Sequence, residues 1–296
     1  MNTLKLDGLI GSHPLGALAA FGLLRVLHQS GIEARLWFEE LDDWVARIDS
    51  SLGTFDALSS HLATWIQSPR ETLLDWTGEE DVRVAEAVYR AAVEANLNEG
   101  GEQLAFLAAL AAEGARDKSK GLIKPTAFYM ASGQQSFCDT LREIIAHVRQ
   151  YPDASFREAL LGPWTYSTPI WGAGWDPGTE RMHALRHRAP TKEKTSSVGG
   201  AVYLGFEALA LFPSFSVRRR DRTTGFASRD RLRHWRWPVP TIPVGLETLT
   251  ILLASREVGA RKEADPLRPG IGAVYEATRH EFGQGYGVFR PARRLG

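Results

Sequence analysis

With 296 residues the chain can bury a substantial core unaided, and its length suits one large or two intimately packed domains. Its single cysteine, Cys138, excludes an intramolecular disulfide and any multi-cysteine zinc site, and suits a reducing cytoplasm. The formal net charge of +0 conceals an acidic front, with 7 Lys+Arg against 18 Asp+Glu in residues 1–115, and a basic back, with 28 against 17 in residues 116–296.

Leu4, Leu6 and Ile10 read as a short strand, and Pro14 suits the first position of a helix running to about Gln29. That helix is apolar nearly all round, too short and too interrupted to span a bilayer, and stops at Gly31. No signal peptide or membrane segment is read. Ala34, Leu36 and Phe38 alternate as a second strand. From Glu39 to Glu113 the spacing predicts helices, with stripes at Leu41, Trp44, Val45 and Ile48, and at Phe55, Leu58, Leu62 and Trp65. Two further stripes fall at Val82, Val84, Ala87, Val88 and Ala91, and at Leu104, Leu107 and Leu110. Polar linkers are expected at Asn96–Gly101 and Ala115–Gly121. Ser132 to Gln135 has capping-box spacing for a helix reaching about Val148. After Pro152 the texture turns to tryptophan, proline and glycine, with strand-like runs at Tyr166–Trp171, Phe215–Arg219 and Trp235–Val239 and apolar helices at Val202–Phe212 and Leu246–Leu253. The expected class is α+β: an acidic, mainly helical region over 1–115 opening with strand, helix, strand, then a basic, loop-rich α+β region over 116–296.

Charge segregation points to a polyanionic partner for the basic part; mutual attraction of the two halves is the plainer alternative. Arg218, Arg219, Arg220 and Arg222 form the densest basic cluster, followed by Arg229, Arg231, Arg233 and Arg236 around Trp235 and Trp237. Arginine grips phosphate through paired charge-assisted bonds, and tryptophan offers a face for an unpaired base. On a strand Arg233, Trp235 and Trp237 share one face; the competing arrangement points the tryptophans into the core. Lys118, Lys120 and Lys124, beside Arg116, form a second patch suited to sequence-independent phosphate contacts, or an ordinary charged loop. Asp176, Glu180, His183 and His187 fall on one helical face and would suit a divalent metal for phosphodiester cleavage, although Asp176-Pro177 also reads as a plain helix start. No phosphate-binding loop, nucleophile elbow or dinucleotide fingerprint is present. Cys138 reads as an inert buried thiol.

Pro14 to Arg25 (PLGALAAFGLLR), Lys124 to Phe137 (KPTAFYMASGQQSF), and Trp175-Asp176-Pro177 with Arg181 and Ala184-Leu185-Arg186 carry a likeness to a known family. So do Phe206-Glu207-Ala208-Leu209 with Phe212-Pro213, and Thr223-Thr224-Gly225-Phe226. The chain resembles a family of type I-G (formerly I-U) CRISPR loci described as an extension of the helicase-nuclease, and its opening resembles the start of Cascade large subunits. The resemblance implies a non-catalytic component of antiviral defence, associated with a crRNA-guided complex; the cytoplasm is the expected compartment from the single cysteine and the absence of a membrane segment. The expected partners are crRNA or target DNA, other effector subunits and the helicase-nuclease, with no membrane. The resemblance brings neither catalytic residues nor a cofactor. A small metal-dependent nuclease and a protein adaptor that never touches nucleic acid are the alternatives.

Overall fold

The computed structural model describes residues 2–78, 81–98, 101–117, 120–131, 136–179, 196–263, 265–282 and 286–296. Strand β1 (Asn2–Ile10) leads through a tight turn into helix α1 (Pro14–Gln29), which is buried from Pro14 through Leu27. Pro14 opens the helix with its φ already fixed, and His13 caps it, its Nδ1 accepting the Gly16 N–H at 3.2 Å. Gly31, at φ +72°, turns the chain out of the helix.

Strands β2 (Ala34–Glu40) and β3 (Trp44–Ser50) complete an antiparallel sheet of order β1-β3-β2, a split β-α-β arrangement crossed by α1. Its core face is built in rows, Leu4-Ile48-Leu36 and Leu6-Ala46-Phe38. The helical stripe expected at Leu41, Trp44, Val45 and Ile48 is therefore strand from Trp44 onward, with Leu41 in the preceding bend. Trp44, Ala46 and Ile48 satisfy period 2 as well as Trp44, Val45 and Ile48 satisfy period 3.6, and pairing to strands on both sides decides the matter.

Helix α2 (Phe55–Trp65) is capped by Thr54, and a 3₁₀ turn covers Arg70–Thr77. In α3 (Glu86–Asn96) only Tyr89 is fully buried; Val82 and Val84 precede it, and Ala87, Val88 and Ala91 face outward, contrary to the expected stripe. After α4 (Gly101–Leu110) the chain pairs β4 (Ala111–Arg116) with β5 (Ile123–Pro125), so the anticipated polar linker joins the strands of a ribbon. Helix α5 (Phe137–Gln150) starts later than expected: Ser136 is its cap, accepting the Asp139 N–H, and Ser132 to Gln135 lie outside the described residues. Helix α6 (Pro152–Leu161) follows, and the run Tyr166–Trp171 forms no strand, only an isolated bridge from Thr168 to Ser197.

Helix α7 (Gly199–Ala208) is buried along its whole length against α1. Gly22 permits the contact, since a Cβ there would fall 1.8 Å from the Leu204 carbonyl oxygen. Glu207, fully buried, accepts from Arg25 at 2.9 Å, from Arg70 at 2.7–2.8 Å and from the Tyr203 hydroxyl at 2.8 Å. Glu102 binds both arginines; burial would raise its pKa, but Arg70 and Arg25 hold it below the usual carboxylate range.

Two hairpins follow, β6 (Ser214–Val217) with β7 (Arg220–Thr223), then β8 (Phe226–Arg229) with β9 (Leu232–Pro240). Helices α8 (Leu246–Ala254) and α9 (Arg256–Gly259) precede β10 (Ile271–Phe282), β11 (Tyr286–Phe289) and the short β12 (Arg293–Arg294). The second sheet runs β11-β10-β9-β8, with β12 on β10. The fold is α+β with small antiparallel sheets. One apolar cluster extends from Leu6 to Phe289. The charge boundary at 115/116 lies inside β4, and the core runs through it.

Candidate nucleic-acid interface

The densest basic run in the sequence lies on the β6–β7 hairpin. Its two turn residues, Arg218 and Arg219, both have positive φ, at 50° and 63°. Two-residue hairpin loops of that shape favour Asn-Gly, because a side chain in the left-handed region costs roughly 1–2 kcal/mol. The next hairpin repeats the geometry with Asp230 and Arg231, at 53° and 64°. Arg222 reaches Ser228 at 3.4 Å and Arg233 pairs with Asp221, so the hairpins lie side by side with both tips pointing the same way.

Register sorts the β6–β7 side chains into two faces. Ser214, Ser216, Asp221 and Thr223 turn inward: the Ser214 hydroxyl donates to the Ala109 carbonyl at 3.2 Å, and Thr223 Oγ1 accepts the Ala127 N–H at 2.9 Å. Phe215 opposite Arg222 and Val217 opposite Arg220 turn outward. Phe215 is 49% exposed and Val217 45%, and all four arginines of the hairpin are exposed. Among the described residues none of Arg218, Arg219, Arg220, Arg222 or Arg231 is in an ion pair. The cations that the sequence singled out thus share one hairpin with an exposed aromatic ring that it did not, Arg222 directly across the strand pair from it.

Apart from Arg231, exposed in the second turn, the rest of the anticipated cluster is committed to partners within the fold. Strand alternation does place Arg233, Trp235 and Trp237 on one face, but that face is core. Trp235 and Trp237 are both 0% exposed, stacked with centroids 4.3 Å apart, Trp235 lying against Phe289 and Trp237 donating from Nε1 to the Gly11 carbonyl at 2.8 Å. Neither ring can meet a base without unfolding the sheet, which corrects their assignment as stacking residues. On the opposite face Arg236 is buried beside Glu276, which also accepts from Arg229 at 2.7 Å and Arg293 at 3.0 Å. Burial alone would raise the Glu276 carboxyl; the bonds from Arg229, Arg236 and Arg293 bring it down to about 2. Arg236 is therefore a structural counter-ion, and Arg229, although half-exposed, is bound to the same carboxylate.

Lys118 lies outside the described residues. Lys120 is exposed, and Lys124 donates to Asp221 at 3.0 Å. Lys120, Lys124 and Arg233 line a cleft of about 320 Å³ together with Arg83 and Arg279. Neither of the last two belongs to a basic run in the sequence; β9–β10 pairing, with Arg233 directly opposite Arg279, brings the latter in.

Of the anticipated metal-binding face, Glu180, His183 and His187 lie outside the described residues. Asp176 is 1% exposed, accepts the Gly178 N–H at 2.7 Å and lies 3.3 Å from His13 Nε2. It ties the cap of α1 to the Pro177 turn. Burial, with Asp81 nearby, pushes the Cys138 thiol well up, as an inert interior thiol requires. Among the described residues no helix is long and apolar enough to cross a membrane. Comparison with protein-family models and with curated proteins finds no match.

Proposed function

We propose that the chain is a non-catalytic, nucleic-acid-binding component of a crRNA-guided CRISPR complex, gripping crRNA or target DNA through the outward face of β6–β7. The observation that carries this reading is the combination of Arg218, Arg219, Arg220 and Arg222, exposed and without ion pairs among the described residues, on the same hairpin as the exposed ring of Phe215, which lies opposite Arg222. Guanidinium groups exposed along one hairpin suit phosphate, and an exposed aromatic face beside them suits an unstacked base. Holding arginine where Asn-Gly would be easier stores backbone strain at an exposed turn, a common mark of a functional position. The CRISPR setting rests on the likeness of Pro14–Arg25 and the other matching stretches to the type I-G family, and that family brings no catalytic residues.

The test is a binding titration of single-stranded RNA and DNA across salt concentrations. Replacing Arg218, Arg219, Arg220 and Arg222 by alanine should weaken binding and flatten the slope of log affinity against log salt by up to about 3, at roughly 0.7 for each single-strand phosphate that is no longer neutralised. Phe215→Ala should weaken single-strand binding about tenfold at an unchanged slope, as expected when one base has no ring to stack on. Unchanged affinity in the quadruple variant refutes the assignment.

A further inference from the structure

The cleft between β5, β7, β9 and β10 has features that the hairpin surface lacks. Its floor holds Arg279, only 8% exposed, whose Nε has no hydrogen-bond partner among the described residues. A buried, incompletely bonded guanidinium is costly, and native proteins rarely keep one without a use for it. Arg279 also stands directly across the strand pair from Arg233. Like charges in that position repel each other unless an anion joins them. Asp221 answers Arg233, but it also takes the Lys124 ammonium at 3.0 Å. Glu281 meets Arg279 at 3.0 Å from an exposed position. Burial, helped by the charges of Arg233 and Arg83 and against the pull of Glu281 and Asp221, lowers Arg279 to about 10. It remains a cation at neutral pH, in a setting that favours an added negative charge.

The charge count is specific. Arg83, Lys120, Lys124, Arg233 and Arg279 line the cleft against three carboxylates, Asp117, Asp221 and Glu281, which leaves an excess of two positive charges among the described lining residues. A terminal phosphate monoester carries about −1.5 to −2 at pH 7, whereas an internal phosphodiester carries one negative charge. A recessed volume of about 320 Å³ admits a chain end or a nucleotide more readily than it admits a strand passing through.

We infer that this cleft seats a phosphate monoester, held by Arg279, Arg233 and Lys124 with Arg83 at the rim. When the monoester is the end of a bound strand, the inference rests on the nucleic-acid reading above; when it is a free nucleotide, it stands apart from it. Either way the ligand adds negative charge where Asp221 is shared between Arg233 and Lys124 and Glu281 meets Arg279 only from an exposed position.

The experiment measures melting temperature and binding of the full chain with three probes: inorganic phosphate, a nucleoside 5′-monophosphate, and an oligonucleotide with a 5′-phosphate against the same one with a 5′-hydroxyl. At tenfold excess over Kd the monophosphate should raise the melting temperature by about 2–5 °C. A strand end as the source gives at least tenfold tighter binding of the 5′-phosphorylated oligonucleotide. A free nucleotide as the source gives the thermal shift without that preference, which still supports the cleft as a phosphate seat. Arg279→Gln should abolish either response. Because that residue is interior, the double variant Arg83→Ala, Lys124→Ala, at the accessible rim, provides the second test and should weaken the phosphate response at least tenfold while the fold is kept. The hairpin variant lacking Arg218, Arg219, Arg220 and Arg222 should keep the phosphate response, so failure of the strand reading and failure of the seat are separable. No thermal shift with any phosphate probe together with no 5′-phosphate preference, or full responses in both cleft variants, overturns the inference.

Discussion

Replacing Glu276 by glutamine tests whether the basic back half is held together by one buried carboxylate. The amide keeps the shape of the side chain but not its charge, so Arg229, Arg236 and Arg293 are left around a neutral group, with His234 3.6 Å from the same position. Breaking a buried ionic network by removing one partner costs about 3–5 kcal/mol. Arg229 and Arg293 are half-exposed and recover some hydration, which favours the low end. For a chain of this length about 3 kcal/mol corresponds to a drop of roughly 5 °C in melting temperature. The assay is a thermal melt of both proteins at pH 7, repeated at falling pH. The folded value of Glu276, about 2, lies below its ordinary 4.5, so its stabilisation is fully present above 4.5 and is lost as pH falls toward 2. The gap between wild type and Glu276→Gln should therefore be largest above 4.5 and close toward 2. A gap under about 2 °C at pH 7, or one that persists undiminished at low pH, refutes the reasoning.

Two further outcomes follow from the two hairpins. Trp235→Ala should cost about 3–5 kcal/mol of stability, read by chemical denaturation, and leave the affinity per folded molecule for single-stranded nucleic acid unchanged; normal stability with lost affinity would return the ring to the binding surface. Arg218→Asn with Arg219→Gly relieves the left-handed strain at the tip and should raise the melting temperature by about 2–6 °C while weakening strand binding; a lower melting temperature would mean that the arginines stabilise the turn.

Much of this architecture was legible locally. Pro14 and Gly31 bracket α1 because proline and glycine act through backbone geometry alone, and the apolar perimeter of that helix announced its burial. The alternation of Arg233, Trp235 and Trp237 was equally readable, but not the direction in which it faces. β9 is paired on both edges and covered on both sides, so Arg236 and His234 are as buried as the tryptophans, and no period distinguishes two buried faces. The hairpin arginines stood out as a run, whereas Phe215 did not, because a single aromatic in a short strand looks the same whether it points in or out. Arg83 and Arg279 have no local signature; they meet Lys124 and Arg233 only through pairing between distant segments. The misplaced start of α5 has a smaller cause: Ser136 and Asp139 repeat the spacing of Ser132 and Gln135 one turn later.

Glu207 lies in the basic half of the sequence, while its counter-charges, Arg25 and Arg70, lie in the acidic half, and Gly22 brings the helix backbones into contact beside them. Each half therefore carries half of an ionic bond that water cannot replace once the helices close. Produced as two polypeptides divided at residue 115, the chain would yield fragments that cannot complete their cores alone, since the division also separates the end of β4 from its strand and the whole of α1 from α7. Mixed or co-expressed, the fragments have every element needed to find each other, so the seam that prevents independent folding is also what makes the protein a natural candidate for fragment complementation.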